Sequence, residues 1–486
     1  MKQSLALSIH QRPVRRTASE IMANSRGQRR VSAVLRGLVW LAAFLTAAVI
    51  LLLVGYILIT GIPNLSRVIE DGLVISIDEL MDEYSTGLKP LLAEYPGVEA
   101  SARAADGKLY SLPGVNTLAA NLTGHKNLWI NKTWLDNLGL EMPTTTEEFY
   151  NVCKAVKDGD PNGNGLKDEI PFTFAGGSFS VAVFEYIFSA YGIGMSGSLL
   201  DVQDGKVVCV AQDERFADAI RYIADLYAEG LIDPDAFVMD GSQWKAKMNN
   251  EAVIVGVSPN WDHNDHIANA DVRAQYTFMK PLGSDNGEAP VVYSPTMYGL
   301  ARGFGVITKE CKDPQLAAKW LDYWYDCINS IEASEGCIGE RQYYDENGTI
   351  LTGNPDTSAV GALMPRAQTC LNPYTCRAML KEYYEQKIVA IPSTFPKVDF
   401  ITANVLPYAD KDPFNTKLYY TLEESETISM LQPSIKNYIN SKCAEWIMKG
   451  GVDTEWDEFQ NTLKKMKLDE YLATQQGAYD RMYNVQ

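Results

Sequence analysis

The chain has 486 residues, a formal net charge of −18 and 46% hydrophobic residues, enough for a large apolar core shared between more than one lobe. Residues 1–66 hold the arginine-rich start of the chain, with Glu20 their one acid, so everything after them is more acidic than the whole. Such a surface repels polyphosphate, which excludes nucleic acid as a partner and suits a protein kept soluble outside the cell.

Residues 1–36 form a basic segment carrying Arg12, Arg15, Arg16, Arg26, Arg29, Arg30 and Arg36. Residues 37–60, GLVWLAAFLTAAVILLLVGYILIT, carry no charge and exceed the ~20 residues that cross a bilayer as a helix. The arginines stay on the cytoplasmic side, so residues 67–486 are expected outside the cell membrane as the soluble region of a single-pass protein. The apolar run is longer than a signal-peptide core of roughly 7–15 residues, and no A-x-A site follows it, so the helix reads as an uncleaved anchor. The stretch LRGLVWLAAFLTAAVILLLVGYILITGIPNLS resembles the first membrane helix of the phosphate-importer permeases. No later window is apolar enough to span, so the chain is not a complete permease; a phosphate-permease fragment fused to unrelated sequence is the alternative reading.

Beyond Ser66 short apolar strands alternate with amphipathic helices, the pattern of α/β layers. Strands are expected at Leu109–Leu112 and Leu128–Asn131. A helix follows over Thr144–Val156, with Thr144 and Glu147 as a capping box and Phe149, Val152, Cys153 and Val156 on one face. A second helix begins at Asp213, turns Phe216, Ile220, Ile223 and Tyr227 inward, and stops at Gly230. Further strands are expected at Ala252–Val257 and Gly303–Thr308. Asp313-Pro314 opens a third helix whose apolar stripe is Leu316, Ala317, Trp320, Leu321 and Trp324, which assigns its tryptophans to the core. From Leu422 onward the chain reads as helical, with Trp456 and Phe459 on one amphipathic segment. The eight cysteines are scattered with no C-x-x-C, so they define no zinc site and no pairing follows from their spacing.

The clearest chemical motif is DPNGNGLKDE, residues 160–169. Asp160, Asn162 and Asn164 stand at positions 1, 3 and 5, Gly165 permits a sharp turn at position 6, and Leu166 offers its carbonyl at position 7. Asp168 and Glu169 follow. This order of oxygen donors can wrap a calcium ion, and the same residues can also make a bare Asx-rich turn.

Aromatic faces together with polar side chains that satisfy hydroxyls can hold a small polar ligand, so loops carrying both are the candidate contacts. Tyr110 precedes a Leu-Pro turn; Asn260, Trp261 and Asp262 follow an apolar strand; Tyr298 lies in SPTMYG; Trp244 is expected just before a helix, where ring stacking and core packing are equally open. Trp261 is the strongest of these. His263 and His266, with Asp262 and Asp265, read as a solvated polar loop rather than a metal site, because no third ligand accompanies them. No G-x-S-x-G, P-loop or dinucleotide fingerprint is present, so no catalytic residues are assigned and an enzyme acting on carbohydrate remains only an alternative.

The segments DGKLYSLPG (106–114), LWINKTWLDNLGLEMPTTTEEFYNVCKAVKDGDPNGNGLKDEIP (128–171), GFGVITKECKDPQLAAKWLDYWYD (303–326) and YYDENG (343–348) give a stronger resemblance. From about Val68 onward the chain resembles the family 1 extracellular solute-binding proteins of ABC importers, in the subgroup of lipoprotein LplA and the alginate-binding proteins. The resemblance implies a two-lobed periplasmic-binding-protein-like α/β clamp (type II), its lobes built from discontinuous segments, closing over an oligosaccharide and delivering it to permease subunits. It also implies a structural Ca2+ on Asp160, Asn162, Asn164, Leu166, Asp168 and Glu169, and sugar contact at Tyr110. The portion that supplies the first strands of the N-terminal lobe in this family is missing here, so that lobe is expected to be incomplete.

Overall fold

Apolar runs pair into four sheets, and their order defines two separate cores. The computed structural model describes residues 65–483 except 96–97, 100–101, 118–126, 178, 261–265, 285–286, 288, 294–300, 340–341, 353–375, 381, 384–387, 390–394, 411–413 and 415–417. The basic segment and the expected membrane helix over 37–60 therefore lie outside the described residues; among those described, no helix is long and apolar enough to cross a bilayer.

The strands are β1 (Ser111–Asn116), β2 (Asn127–Asn131), β3 (Ile170–Phe172), β4 (Leu200–Gln203), β5 (Lys206–Cys209), β6 (Val255–Asn260), β7 (Tyr276–Phe278), β8 (Ala301–Val306), β9 (Gln342–Tyr344), β10 (Ile350–Thr352), β11 (Arg377–Met379) and β12 (Ile388–Val389). The larger lobe is organised on a sheet of order β3-β6-β2-β7 and on the hairpin β4-β5. Asp204 and Gly205, both with positive φ (51° and 74°), make that hairpin's two-residue turn, matching the right-handed twist of its strands. The smaller lobe has the sheet β11-β1-β8 and, beside it, β12-β10-β9.

In the larger core Phe172, Phe174, Phe184 and Phe237 touch edge to face, joined by Trp129, Phe149 and Phe216. The Thr146–Asp158 and Glu214–Ala228 helices cover this core with the faces expected from their periodicity, burying Phe149, Val152, Cys153 and Val156, and Phe216, Ile220 and Ile223; Tyr227 packs against it half-buried. The last three helices, Leu422–Lys449, Val452–Lys465 and Leu468–Tyr483, complete it with Ile439, Trp446, Phe459 and Tyr471. The smaller core gathers Ile77, Leu88, Leu112, Val115, Ile307, Ala318 and Tyr325.

Several expected boundaries move, each for a local reason. β1 starts at Ser111 and continues through Pro113-Gly114, because a register shift against β8 between Leu112 and Gly114 accommodates a proline with no N–H to donate. β6 starts three residues later than expected, since Ala252 and Val253 are tied into a turn on Asn250 and Val253 takes a left-handed φ of 53°. The first cap sits at Thr145, whose Oγ1 accepts from the Glu148 backbone; the Glu148 carboxylate accepts from Thr144 rather than from the Thr145 N–H, so the capping box expected at Thr144 and Glu147 gives way to a single cap one residue later.

The Pro314–Asp322 helix corrects a larger expectation. It begins at the Asp313 cap as expected, but Leu316 and Trp320 are 63% and 60% exposed, and Ala318 and Asp322 are the buried positions. Asp322 fixes the rotation: its carboxylate accepts from Ser85 Oγ at 2.6 Å and from the backbone N–H groups of Thr86, Gly87 and Leu88 at 2.6, 3.0 and 2.8 Å. With Thr86 Oγ1 also donating at 3.3 Å, a buried carboxylate with five donors outweighs the burial of two apolar side chains. Trp324, by contrast, packs against the smaller core.

Candidate functional site

Two places concentrate polar chemistry: the loop between the Thr146–Asp158 helix and β3, and the neighbourhood of the end of β6.

The 160–169 loop is anchored at its start, where Asn137 Nδ2 donates to the Pro161 carbonyl at 2.8 Å. Gly163 and Gly165 take left-handed φ values of 72° and 77°, a conformation that a side chain at either position would strain. The Asp160 carboxylate accepts from the N–H groups of Asn164 and Gly165 at 3.1 and 2.9 Å, and Asn164 Oδ1 accepts from Leu166 N–H at 2.7 Å. The amides of Asn162 and Asn164 both donate to Asp168, at 3.2 and 3.1 Å. The side chains at 160, 162, 164 and 168 are thus brought together, while the Leu166 side chain points into solvent at 61% exposure.

Glu169 stands apart. Both of its carboxylate oxygens are buried and find no hydrogen-bond partner of ordinary geometry. Burial raises its carboxyl above the ordinary value, opposed by the local backbone amide and reinforced by the charges of Asp168 and Asp160. Among the described residues no group of three His, Cys, Asp or Glu side chains is converged for a metal. A cation here would therefore draw on the asparagine oxygens and the Leu166 carbonyl as well as on carboxylates.

At the second place, β6 carries Asn260 at its end, 5% exposed, with its backbone oxygen accepting from Trp129 Nε1 at 3.1 Å. Trp244 lies beneath the same strand: it is 6% exposed, donates from Nε1 to Ser258 Oγ at 3.0 Å, and meets His266 edge to face. This is the placement of a core residue bracing the strand, with no open ring face. Tyr110 belongs to the smaller lobe, is buried, and donates from its hydroxyl to Asp106 at 2.9 Å. Burial, then Asp106, raises its pKa. The structure thus brings Trp244 and Asn260 to one strand and leaves Tyr110 buried in the other lobe. Trp261, Asp262 and Tyr298 lie outside the described residues.

A cavity of about 450 Å³ in the smaller lobe is lined by Glu94, Asp322, Tyr323, Tyr325, Asp326 and Tyr383 among others, and contains none of the expected sugar contacts. Sequence reasoning passed over Asp322, which joins segments 234 residues apart at Leu88 and carries no local signal. It also passed over Tyr419, whose hydroxyl lies 3.0 Å from Ser111 Oγ and links β1 to the segment leading into the C-terminal helices.

A family model described as "Bacterial extracellular solute-binding protein" matches residues 57–326. The chain belongs to this family. Its match starts at residue 57, ahead of the Val68 at which the resemblance becomes legible by eye. Within the family, the chain is 33% identical over 421 residues to the fructooligosaccharide ABC transporter substrate-binding protein FusA of Streptococcus pneumoniae, covering 84% of this chain and 76% of that protein. It is similar to the solved structure of S. pneumoniae FusA in complex with kestose, at 31% identity and a TM-score of 0.71 over 86% of this chain and 85% of that one. A FusA EF-hand mutant in complex with fructo-nystose gives 30% identity, a TM-score of 0.70 and the same coverage. The two-lobed α/β architecture is that of these solute-binding proteins.

Proposed function

We propose that this protein is the extracytoplasmic solute-binding component of an ABC importer, that it captures an oligosaccharide for delivery to permease subunits, and that a short fructooligosaccharide is its ligand class. The observation that carries this reading is the 33% identity to FusA over 421 residues, a span that includes both lobes. On this reading the loop after β6 supplies the sugar contacts, with Trp261 stacking on a ring face and Asn260 and Asp262 satisfying hydroxyls. Tyr110 and Tyr298 approach from other segments, and Trp244 holds the strand end that presents the loop. Residues 37–60 tether the protein to the membrane. Titration calorimetry with kestose and nystose, with chromatography of the same mixtures, tests the reading. Saturable heat with intact sugar is the expected result; no heat with either sugar defeats the ligand assignment, and cleavage products would make the protein an enzyme.

The 160–169 loop is proposed to hold a structural Ca2+ through the side chains of Asp160, Asn162, Asn164, Asp168 and Glu169 and the carbonyl of Leu166. Its support is the buried, unpartnered carboxylate of Glu169 beside a converged set of oxygen-bearing side chains. A bound calcium would supply the positive charge that this group of acids lacks. The EF-hand named for the FusA mutant is in keeping with this reading.

A further inference from the structure

The cavity of about 450 Å³ in the smaller lobe has no part in the function proposed above, and every described residue that lines it comes from that lobe. It lies among the Leu88–Glu94 helix, the end of the Pro314–Asp322 helix and the start of the Cys327–Glu335 helix, with Tyr383 beside them. Leu91 and Tyr325, members of the smaller core, give it an apolar wall. Its volume falls within the roughly 300–1,000 Å³ of small-molecule sites.

The polar groups in this lining are mainly acceptors. Among the described residues Glu94 makes no hydrogen bond or ion pair, and the hydroxyls of Tyr323 and Tyr383 have no hydrogen-bond partner. Asp326 uses Oδ1 for the N–H groups of Ile328 and Asn329 and keeps its other oxygen. Asp322 is occupied by its five donors and is not available. No Lys, Arg or His stands among the described lining residues. Burial first, and then its acidic neighbours Cys327, Asp326, Glu94 and Glu382, raise the pKa of the Tyr383 hydroxyl, which fits a place where no cation offsets the carboxylates.

Aromatic surface adjoins these acceptors. Tyr323 lines the cavity and is 57% exposed, and Trp320, one helical turn earlier, is 60% exposed. Trp324, packed against the smaller core, meets both at steep angles, with ring centroids 5.5 Å from Tyr323 and 6.1 Å from Trp320. The two exposed rings are therefore braced from the core side, and exposed apolar surface of this kind beside a cavity marks a ligand contact.

We propose that the cavity and these rings form a further carbohydrate site within the smaller lobe, taking an uncharged sugar ring. The ring packs against Tyr323, its hydroxyls donate to Glu94 and Asp326, and the two phenols exchange hydrogen bonds with it. Carboxylates without a base repel an anionic sugar. A metal ion needs its acceptors gathered at one point, and no group of three His, Cys, Asp or Glu side chains is so gathered among the described residues. A sugar carries its donors spread round a ring, which matches acceptors set apart around an apolar wall. The site shares its ligand class with the proposed function and does not rest on the loop after β6.

The test is amide hydrogen exchange on the full chain with kestose, maltotriose, glucose or glucosamine. At about ten times a sugar's dissociation constant, exchange that requires the cavity to open slows about tenfold. That slowing is expected at Gly87 and Asn329, cavity residues whose N–H groups are hydrogen-bonded to Asp322 and Asp326, with an uncharged sugar. It should vanish in Glu94→Ala and in Tyr323→Ala, both at exposed positions whose substitution leaves the core intact. No slowing with any uncharged sugar, or an equal slowing in both variants, overturns the site. Slowing by glucosamine without slowing by glucose, kestose or maltotriose makes it an ammonium site and overturns the assignment as well. Exchange along β6 reports the other site separately: slowing there alone leaves the proposed function standing without this one, and slowing at Gly87 and Asn329 alone does the reverse.

Discussion

The larger lobe is built round touching aromatic rings, whereas the buried members of the smaller core are aliphatic or sulfur-bearing apart from Tyr325. In the first, Phe184 alone meets the rings of Phe172, Phe174, Phe179 and Phe237. In the second, a comparable constraint comes from one carboxylate: Asp322 gathers the chain at 85–88 against the Pro314–Asp322 helix, and Gly87 is required there because a Cβ would strike Tyr325 Cβ at 2.8 Å. Cohesion in one lobe is spread over many contacts of modest strength, and in the other it is concentrated in a polar node.

The contrast can be broken by substitution. Phe184→Ala is expected to cost about 3–5 kcal/mol through lost burial and the cavity left behind, read as a lower denaturant midpoint for the larger lobe. Asp322→Ala leaves the N–H groups of Thr86, Gly87 and Leu88 without their acceptor and should cost about 3 kcal/mol. Its loss should fall on the smaller lobe, so exchange of amides near Leu88 rises while those near Phe172 hold; uniform loss would dissolve the distinction. Calcium removal addresses the larger lobe only. At a hundredfold excess over its dissociation constant the ion should contribute about 2.7 kcal/mol, seen as a melting temperature that falls with chelator, and Glu169→Gln should shrink that response. Trp244→Phe replaces the buried indole by a smaller phenyl ring and loses the hydrogen bond to Ser258, so a change of about 2 kcal/mol is expected. A much greater loss of sugar affinity than of stability in that variant would show that Trp244 does more than brace β6.

What the sequence disclosed depended on how far apart the interacting residues lie. The 160–169 loop was legible because its donors occupy consecutive positions and its glycines mark the turns. The Thr146–Asp158 and Glu214–Ala228 helices were legible because apolar periodicity decides their buried face without competition. The same rule failed for the Pro314–Asp322 helix, where a charged residue turned inward toward a segment more than two hundred positions earlier and left Leu316 and Trp320 in solvent. Trp244 shows the related difficulty that a tryptophan close to a helix start reads identically as platform or brace until its indole partner is known.

The chain's return to the larger lobe for its last helices bears on how the protein is made. Val207 on the β4-β5 hairpin relies on Gln476, the Ala211 carbonyl on Gln460, and Arg481 grips both Glu424 and the Tyr419 carbonyl. A ribosome that has released residues 127–290 has therefore supplied the sheet of this lobe without the helices that seal it. The aromatic core waits, partly open, through the synthesis of the remainder of the smaller lobe, from β8 to β12, and this interval is when the nascent chain is most exposed to aggregation or to a chaperone.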